Sequence, residues 1–219
     1  MNLADSRSVA ENMRMTDGLF WPVPIVNVTD DVSGIQDAKR IALLDPNVEG
    51  NPVVAVQDVT SIDEATAEQL AEMAAKIFRT TDPAHPGVNA FLSAGKFFVA
   101  GPIRVLNFSY FEKDFPRTFR TAVQIREMIA KNGWKKVVAF QTRNPMHRAH
   151  EALVKIAMER TGSDGAVVHM LLGKLKPGDI PADVRDACIR KMAELYFEPN
   201  TVEITGYGYD MLYAGPREA

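Results

Sequence analysis

The stretch at residues 136–151, KVVAFQTRNPMHRAHE, decides the fold of this chain. It opens with a short apolar run at 136–140, continues as a polar loop, and passes into a helical pattern over about 146–160. A short apolar run is typical of a strand that is buried in a parallel sheet. The stretch therefore predicts the first strand and the first crossover helix of an α/β unit.

The residues that follow repeat this alternation. Apolar runs at 166–172 and 201–205 predict two more strands, and a helix that starts at Pro181 and runs to about residue 196 separates them. Three strands joined by two helices predict a βαβαβ unit with a parallel sheet and right-handed crossovers. Ligands of such sheets bind beyond the carboxyl ends of the strands.

The residues before 135 show a different pattern, in which short strand signals alternate with turns. We expect strands at 19–28, 40–44, 52–59 and 103–108, and a hairpin of 88–92 with 96–99. A capping-box pattern at 61–64 predicts a helix through residue 78, and a second helix is expected over 118–130. The sequence thus predicts a strand-rich α+β or barrel-like domain at 1–134 and an α/β domain at 135–219.

Composition excludes several classes of protein. The 219 residues are 46% hydrophobic and 24% charged, which is typical of a globular chain. The net charge of −3 argues against a broad nucleic-acid surface, and one cysteine cannot form an internal disulfide. No apolar run approaches membrane-span length, and the N-terminus is too polar for a signal peptide, so a cytoplasmic protein is expected.

The loop after the first predicted α/β strand holds the candidate site. Arg143 offers a planar fork that suits a tetrahedral oxyanion, and the following helix start adds N–H groups and a positive dipole end. His147 and His150 are three residues apart, so both can lie on one helix face. Lys135, Lys136, Arg143 and Arg148 form a local cationic spot in the sequence. These features predict a pocket for a phosphate or sulfate group; its candidates are Gln141, Thr142, Arg143, Asn144, His147 and His150.

Other polar or reactive residues have plainer interpretations. The order His-x-x-His-Glu is not a zincin order, and no third ligand is evident, so no protein-bound metal is expected. Cys188 reads as a small buried hydrophobe, and His169 as a hydrogen-bonded core histidine. Lys174 and Lys176 fit a solvated loop and anion binding equally well.

The stretch QTRNPMHRAHE at 141–151 resembles the signature of the ATP sulfurylase (sulfate adenylyltransferase) family. LGKLKPGDIP at 172–181 and MLYAGPREA at 211–219 are similar to two further family blocks, in the family's order. Gly101-Pro102-Ile103, followed by Leu106-Asn107, fits the family's PUA-like N-terminal domain. The resemblance implies a PUA-like domain at 1–134 and the first half of a Rossmann-like nucleotidyltransferase domain at 135–219.

Family members are longer than this chain. The family's Gly-Arg-Asp-His block, which holds ATP, is absent, and so is the start of its N-terminal domain. The resemblance therefore implies a fragment that is inactive on its own.

The reaction implied by the resemblance is ATP plus sulfate giving adenosine 5′-phosphosulfate plus pyrophosphate, reversibly, by direct attack of sulfate on the α-phosphate. By resemblance, Gln141 and Arg143 hold sulfate. The catalytic group is Thr142, Arg143, Asn144, His147 and His150, and these five with Gln141 meet ATP. Mg²⁺ accompanies ATP, which is a substrate. The implied partners are these small molecules, without nucleic acid or membrane, and a homo-oligomer is expected at full length.

Two alternatives remain open. Another adenylyltransferase of the same superfold would use a His-x-Gly-His pattern, whereas Ala149 stands in the glycine place here. A PUA-like domain is an RNA-binding fold elsewhere, but residues 1–134 carry 13 Lys/Arg against 17 Asp/Glu, a net of −4.

Overall fold

The computed structural model describes residues 1–172, 178–208 and 215–217. The chain divides into two compact units, Met1–Ser109 with Leu212–Ala219, and Tyr110–Met211. The boundary drawn after residue 134 from the sequence pattern falls inside the second unit. The reason lies in the residues just before it: the Asn132 amide donates to the Glu203 carboxylate at 3.0 Å, and the Trp134 indole donates to the Asn200 carbonyl at 3.1 Å.

The described residues of the first unit form two three-stranded antiparallel sheets and three helices. Its elements are α1 (Leu3–Asn12), β1 (Val28–Thr29), β2 (Arg40–Leu44), β3 (Val53–Asp58), β4 (Ser61–Glu64), α2 (Ala67–Phe78), α3 (Pro86–Ser93), β5 (Phe97–Ala100) and β6 (Ile103–Val105), with a short 3₁₀ turn at Gly215–Arg217. The strand orders are β1-β5-β4 and β2-β3-β6. The prediction of a strand-rich α+β unit is confirmed.

Helix α2 supplies much of the core of this unit. Its apolar face is buried, and it packs in one cluster with Val88 and Phe98; the face consists of Leu70, Met73, Ala74 and Ile77. Gln57 is buried on β3, where its amide donates to the Val99 carbonyl at 3.0 Å and accepts from Asn27 at 2.8 Å. A buried amide that is satisfied on both sides costs little.

Three local predictions in this unit are wrong. Ser61–Glu64 is strand β4, which pairs with β5, and the capping box lies five residues later at Thr66 and Gln69. The Thr-x-x-Gln pattern carries the same cap chemistry as the one assigned at 61–64.

Residues 88–92 belong to helix α3 and not to a hairpin arm. Pro86 stands at the helix start, and the His85 Nδ1 caps it by accepting the N–H groups of Gly87 and Val88 at 3.2 and 3.3 Å. Proline at the first helical position is the signal for a helix here. The strand expected at 19–28 shrinks to β1, because Pro22 and Pro24 have no N–H to donate to a ladder.

The second unit has the predicted α/β alternation. Its elements are α4 (Phe111–Asp114), α5 (Ala122–Lys131), β7 (Val137–Thr142), α6 (Arg148–Thr161), β8 (Gly165–Leu171), α7 (Ala182–Tyr196) and β9 (Val202–Tyr207). Strands β7, β8 and β9 form a parallel sheet in that order, so the βαβαβ prediction is confirmed. The central strand β8 is buried at every position except His169, as expected for a strand with neighbours on both sides.

The strand register decides which side chains meet at the carboxyl edge of this sheet. Gln141 of β7 lies opposite His169 of β8, which lies opposite Thr205 of β9. Tyr207 ends β9 beside Leu171. Helices α6 and α7 both begin after this edge, so the loops that lead into them share it with these residues.

A close contact between Trp134 and Gly165 fixes the opposite edge of the sheet. The Trp134 ring is buried, and a Cβ at Gly165 would collide with it. Glycine is therefore required at the first residue of β8. Within the described residues, no helix is both long and apolar enough to cross a bilayer.

Candidate active site

The six predicted site residues lie on one strand-to-helix turn. Gln141 and Thr142 end β7, Arg143 and Asn144 form the loop, His147 is the N-cap of α6, and His150 lies in its first turn. The prediction that both histidines lie within the helix is therefore half correct: His147 has extended backbone, with φ −132° and ψ 176°.

Thr142 stabilises this turn through its hydroxyl. Its side chain is buried, and its hydroxyl accepts the Asn144 N–H at 3.0 Å and donates to the Asn144 carbonyl at 3.1 Å. A hydroxyl that bonds to the backbone two residues on closes an ST turn. Thr142 thus orders the loop, while Asn144 stands exposed on it.

The two imidazoles are held by backbone bonds and lie against each other. The His147 Nδ1 accepts the Ala149 N–H, and the His150 Nδ1 accepts the His147 N–H, each at 3.3 Å. The ring centroids are 3.9 Å apart, and the Phe140 ring lies 5.5 Å from that of His150. This is a capping box built from two histidines in the places usually held by Ser or Thr and by Glu or Gln.

The capping bonds assign the tautomer of both rings. A ring nitrogen that accepts an N–H carries no proton, so a neutral histidine here carries its proton on Nε2. Burial lowers the pKa of His150 from its ordinary value of 6.5, and the neighbouring His147 lowers it further. The pair therefore offers two Nε2–H donors to an anion without either ring needing to be charged.

The backbone donors of the helix start are largely used by the cap itself. The Ala149 N–H bonds to the His147 ring, and the His150 and Glu151 N–H groups bond to the His147 carbonyl at 2.9 and 3.2 Å. The expectation that free first-turn N–H groups cradle the anion is wrong to this extent. The imidazole Nε2–H groups take that place.

Arg143 is paired with a carboxylate that the sequence analysis did not single out. Its Nη2 lies 3.1 Å from Oδ1 of Asp179, whose side chain is 6% exposed while that of Arg143 is 32% exposed. Asp179 stands in the loop between β8 and α7, at the same edge of the sheet as Arg143. The sequence did offer a signal for this pair. Asp179 is an acidic residue in the second strand-to-helix loop, and such loops lie at the same edge of the sheet.

Arg185, on α7, is a second arginine at this turn. It is fully buried, with 0% exposure, and its Nη1 donates to the Arg143 carbonyl at 2.7 Å. Its Nε and Nη2 are buried and have no hydrogen-bond partner among the described residues. Burial lowers the pKa of Arg185, and Asp179 opposes that shift. An unsatisfied buried donor costs about 1–3 kcal/mol, and more when it is charged.

Gln141 is tied to the end of the third strand. Its amide donates to the Tyr207 hydroxyl at 2.6 Å, and the Tyr207 ring stacks on that of His169 with centroids 4.7 Å apart. His169 itself bonds through Nδ1 to the Thr205 hydroxyl at 2.6 Å, and burial lowers its pKa. The hydrogen bond expected of His169 is confirmed, but the residue is half-buried and not part of the core. Tyr207 was missed because it lies beyond the predicted end of its strand.

The four cations that the sequence analysis grouped as a cationic spot do not lie together in the structure. Lys135 and Lys136 precede β7 and Arg143 follows it, so a strand of six residues, roughly 20 Å long, separates them. Arg148 pairs with Glu151 at 3.0 Å and covers the Tyr196 ring at 4.0 Å. Of the four cations, Arg143 is the one that lies at the carboxyl edge of the sheet.

Three further predictions concern residues outside this turn. The prediction that Cys188 is a buried hydrophobe is wrong in part, because the residue is half-buried and its thiol donates to the Met146 carbonyl at 3.4 Å. Lys174 and Lys176 lie outside the described residues, as does most of the 211–219 block. Among residues 1–172, 178–208 and 215–217, no three His, Cys, Asp or Glu side chains group as metal ligands.

Two family models match the two parts of the chain. Residues 116–219 match the ATP-sulfurylase family model, and residues 1–108 match the PUA-like domain model. A solved structure titled "Hexameric APS kinase from Thiobacillus denitrificans" superposes with a TM-score of 0.63 at 19% identity, over 100% of this chain and 37% of that one. At this identity the likeness shows the fold alone.

Curated relatives match the chain over its whole length. The sulfate adenylyltransferases of Alcanivorax borkumensis and Allochromatium vinosum are 66% and 63% identical over 219 residues, which is 100% of this chain and 55% of each relative. That of Thiobacillus denitrificans is 46% identical and is covered to 52%. The chain thus spans about half the length of the curated relatives that it matches. With a PUA-like N-terminal region and an α/β region built on a parallel sheet, the chain belongs to the ATP sulfurylase family.

Proposed function

We propose that this chain forms the sulfate and phosphate end of a sulfate adenylyltransferase, which converts ATP and sulfate to adenosine 5′-phosphosulfate and pyrophosphate, reversibly. The observation that carries the proposal is the strand-to-helix turn at 141–150. There one arginine and two imidazoles fixed as Nε2–H donors lie together at the carboxyl edge of a parallel sheet. The relatives named sulfate adenylyltransferase support the same reading.

The reaction needs positioning and charge neutralisation more than acid–base chemistry. A sulfate oxygen attacks the α-phosphorus, a new P–O bond forms, and the bond from the α-phosphorus to the bridging oxygen breaks. Pyrophosphate leaves with that electron pair, and no proton is transferred. Two anions must meet, so oriented donors and cations lower the barrier.

Each candidate residue has a role in this proposal. Gln141 and Arg143 hold sulfate, and Asn144 reaches ATP from the exposed loop. Thr142 acts by closing the turn on which these side chains stand. His147 and His150 donate Nε2–H bonds to the ATP phosphates, and these bonds strengthen as negative charge develops on the departing pyrophosphate.

Mg²⁺ enters this proposal with the nucleotide. The turn offers N–H donors and a guanidinium, whereas Mg²⁺ prefers oxygen ligands and retains its waters. The ATP phosphates supply those oxygens, so the metal fits as part of the substrate, where it neutralises phosphate charge.

The proposal also covers the domains, the compartment, the oligomeric state and the partners of the full protein. Residues 135–219 hold the chemistry and 1–134 the PUA-like region, and α5 belongs to the same compact unit as the parallel sheet of the former. The full protein is expected to be a cytoplasmic homo-oligomer that binds small molecules and no nucleic acid or membrane. The alternatives of another adenylyltransferase or an RNA-binding module are not favoured by the named relatives.

The test is sulfate-dependent release of pyrophosphate from ATP, measured on the protein expressed at the length of its curated relatives. We expect release to require sulfate and Mg²⁺, and adenosine 5′-phosphosulfate to form in equal amount. Release that is independent of sulfate, or that follows addition of pantetheine phosphate or nicotinamide mononucleotide instead, would overturn the proposed substrate.

A further inference from the structure

Arg185 has a free binding edge that the proposed chemistry does not use. Its Nε and Nη2 are both buried and unpaired among the described residues, while its Nη1 is bonded to the Arg143 carbonyl. The Nε and Nη2 protons point from the same side of a guanidinium, and that side is the one that a carboxylate grips with two parallel bonds.

The guanidinium of Arg143, in contrast, already has a carboxylate partner. It is paired with Asp179 at 3.1 Å, so a carboxylate already neutralises the charge assigned to sulfate. An incoming dianion must compete with Asp179 for this arginine. Once displaced, the carboxylate stays shielded from water, since its side chain is 6% exposed, and it lies within electrostatic range of the unpaired edge of Arg185.

We propose that Asp179 is exchanged between two arginines: it pairs with Arg143 in the absence of an anion, and moves to the Nε and Nη2 edge of Arg185 when sulfate takes Arg143. The inference rests on the proposed function, since it assigns Arg143 to sulfate. Arg185 is a positioning residue in it and does not touch substrate.

A contact between the two arginines keeps both donors of this exchange at one turn. The Arg185 guanidinium is tethered to the backbone carbonyl of Arg143 by the 2.7 Å bond from Nη1, so the second donor to the Asp179 carboxylate is held at the residue that carries the first. Asp179 is also close enough to Arg185 to raise the pKa of that guanidinium against the effect of burial. When sulfate replaces Asp179 at Arg143, a dianion takes the place of a monoanion, and the freed carboxylate neutralises the buried Arg185.

The direct test follows the Nε–H signals of arginine by ¹⁵N NMR while inorganic sulfate is added to the wild-type protein. The Arg185 signal is identified by its loss in Arg185→Lys. We expect it to shift on addition of sulfate in the wild type and to stay in place in Asp179→Asn. A shift that persists in Asp179→Asn, or no shift in a wild type that binds sulfate, would overturn the exchange.

A double-mutant cycle, measured by steady-state kinetics, gives a second test. It uses the protein expressed at the length of its curated relatives. Arg185→Lys is expected to raise KM for sulfate by about tenfold with little change in KM for ATP. The substitution removes the Nε and Nη2 donors that would bind the displaced Asp179 carboxylate. The double variant with Asp179→Asn should behave as Asp179→Asn alone. Additive effects of the two substitutions would contradict the exchange.

Arg190→Lys is the matched control. It lies on the same helix and pairs with Asp186 at 2.7 Å, so KM for sulfate should not change. A sulfate-dependent Arg185 shift without pyrophosphate release would refute the proposed function and leave the exchange standing. Turnover with an unmoved Arg185 signal would refute the exchange alone.

Discussion

The imidazole of His150 accepts the backbone N–H of His147 at 3.3 Å, and the two rings lie in contact, with centroids 3.9 Å apart and planes tilted by 31°. The same bond that caps α6 therefore fixes which nitrogen of His150 carries the proton. This one hydrogen bond thus stabilises the start of α6 and leaves the Nε2–H of His150 to donate to an anion.

Replacement of either histidine should impair turnover more than ATP binding. His147→Ala and His150→Ala each remove one oriented donor, and a loss of about 10²-fold or more in kcat is expected, with a smaller change in KM for ATP. Steady-state pyrophosphate release at saturating sulfate measures both constants.

His85→Ala is the matched control for this pair. His85 caps α3 through its Nδ1 as His147 caps α6, but it lies in the first unit. It should cost about 0.5–2 kcal/mol of stability as a lost cap and leave kcat unchanged. Equal kinetic losses in His85→Ala and His147→Ala would mean that the effect is structural.

Thr142 should act through its hydroxyl alone. Thr142→Val keeps the shape but removes both bonds to the Asn144 backbone, so the loop loosens and turnover should fall about tenfold or more. Thr142→Ser retains the hydroxyl and should stay near wild type. A Thr142→Val variant with unchanged kcat/KM for sulfate would show that the turn does not need this bond.

Stability should decline as the pH falls below about 6.5. The pKa values of His150 and His169 are both lowered from 6.5, chiefly by burial, so the unfolded chain binds protons that the folded chain does not. The free energy of unfolding is therefore highest above the unfolded pKa and falls through the window down to the lowered values. The slope is up to about 1.4 kcal/mol per pH unit for each such proton.

Urea unfolding between about pH 7.5 and pH 5.5 measures this dependence through the shifted histidine protons. Replacement of His169 by Asn, which cannot take up a proton, should flatten the slope. An identical slope in His169→Asn would exclude this histidine as a source.

Gly165→Ala should destabilise the second unit. The added Cβ collides with the buried Trp134 ring, and overpacking of this kind costs about 1–3 kcal/mol. Gly34→Ala is the control, since a Cβ there meets nothing within 4 Å. The free energies of unfolding of the two variants should differ in this sense; equal values would contradict the close contact.

The parallel sheet and the site turn were predictable because their signals are local. An apolar run such as Val137–Phe140 indicates a strand once a helix pattern follows it, and Arg143 follows directly. The prediction that this strand is buried is wrong, because β7 lies at the edge of the sheet and of its residues only Thr142 is buried. The misassigned segment at Ser61–Glu64 shows the limit. Its side chains suit a helix start, but pairing with β5, a contact made with residues more than thirty positions away, makes it a strand.

The partners of the site residues could not be predicted in the same way. Asp179 reaches Arg143 because two strand-to-helix loops share one sheet edge, and Arg185 is buried beneath them by the packing of α7. Neither contact leaves a periodic pattern in the sequence. Sequence identifies the donors that stand on one turn, and tertiary packing decides which of them are already paired.

The measurement that bears most directly on the central claim is kcat/KM for sulfate in Arg143→Lys, with Arg148→Lys as its control. Lysine retains the charge at 143 but loses the planar fork, so a decrease of about 10²-fold is expected at fixed ATP. Arg148 is already engaged by Glu151 and Tyr196, so its replacement by lysine should leave kcat/KM for sulfate near wild type. An Arg143→Lys protein that retains its activity within a few-fold, or an equal decrease in both variants, would contradict the assignment of Arg143 to sulfate.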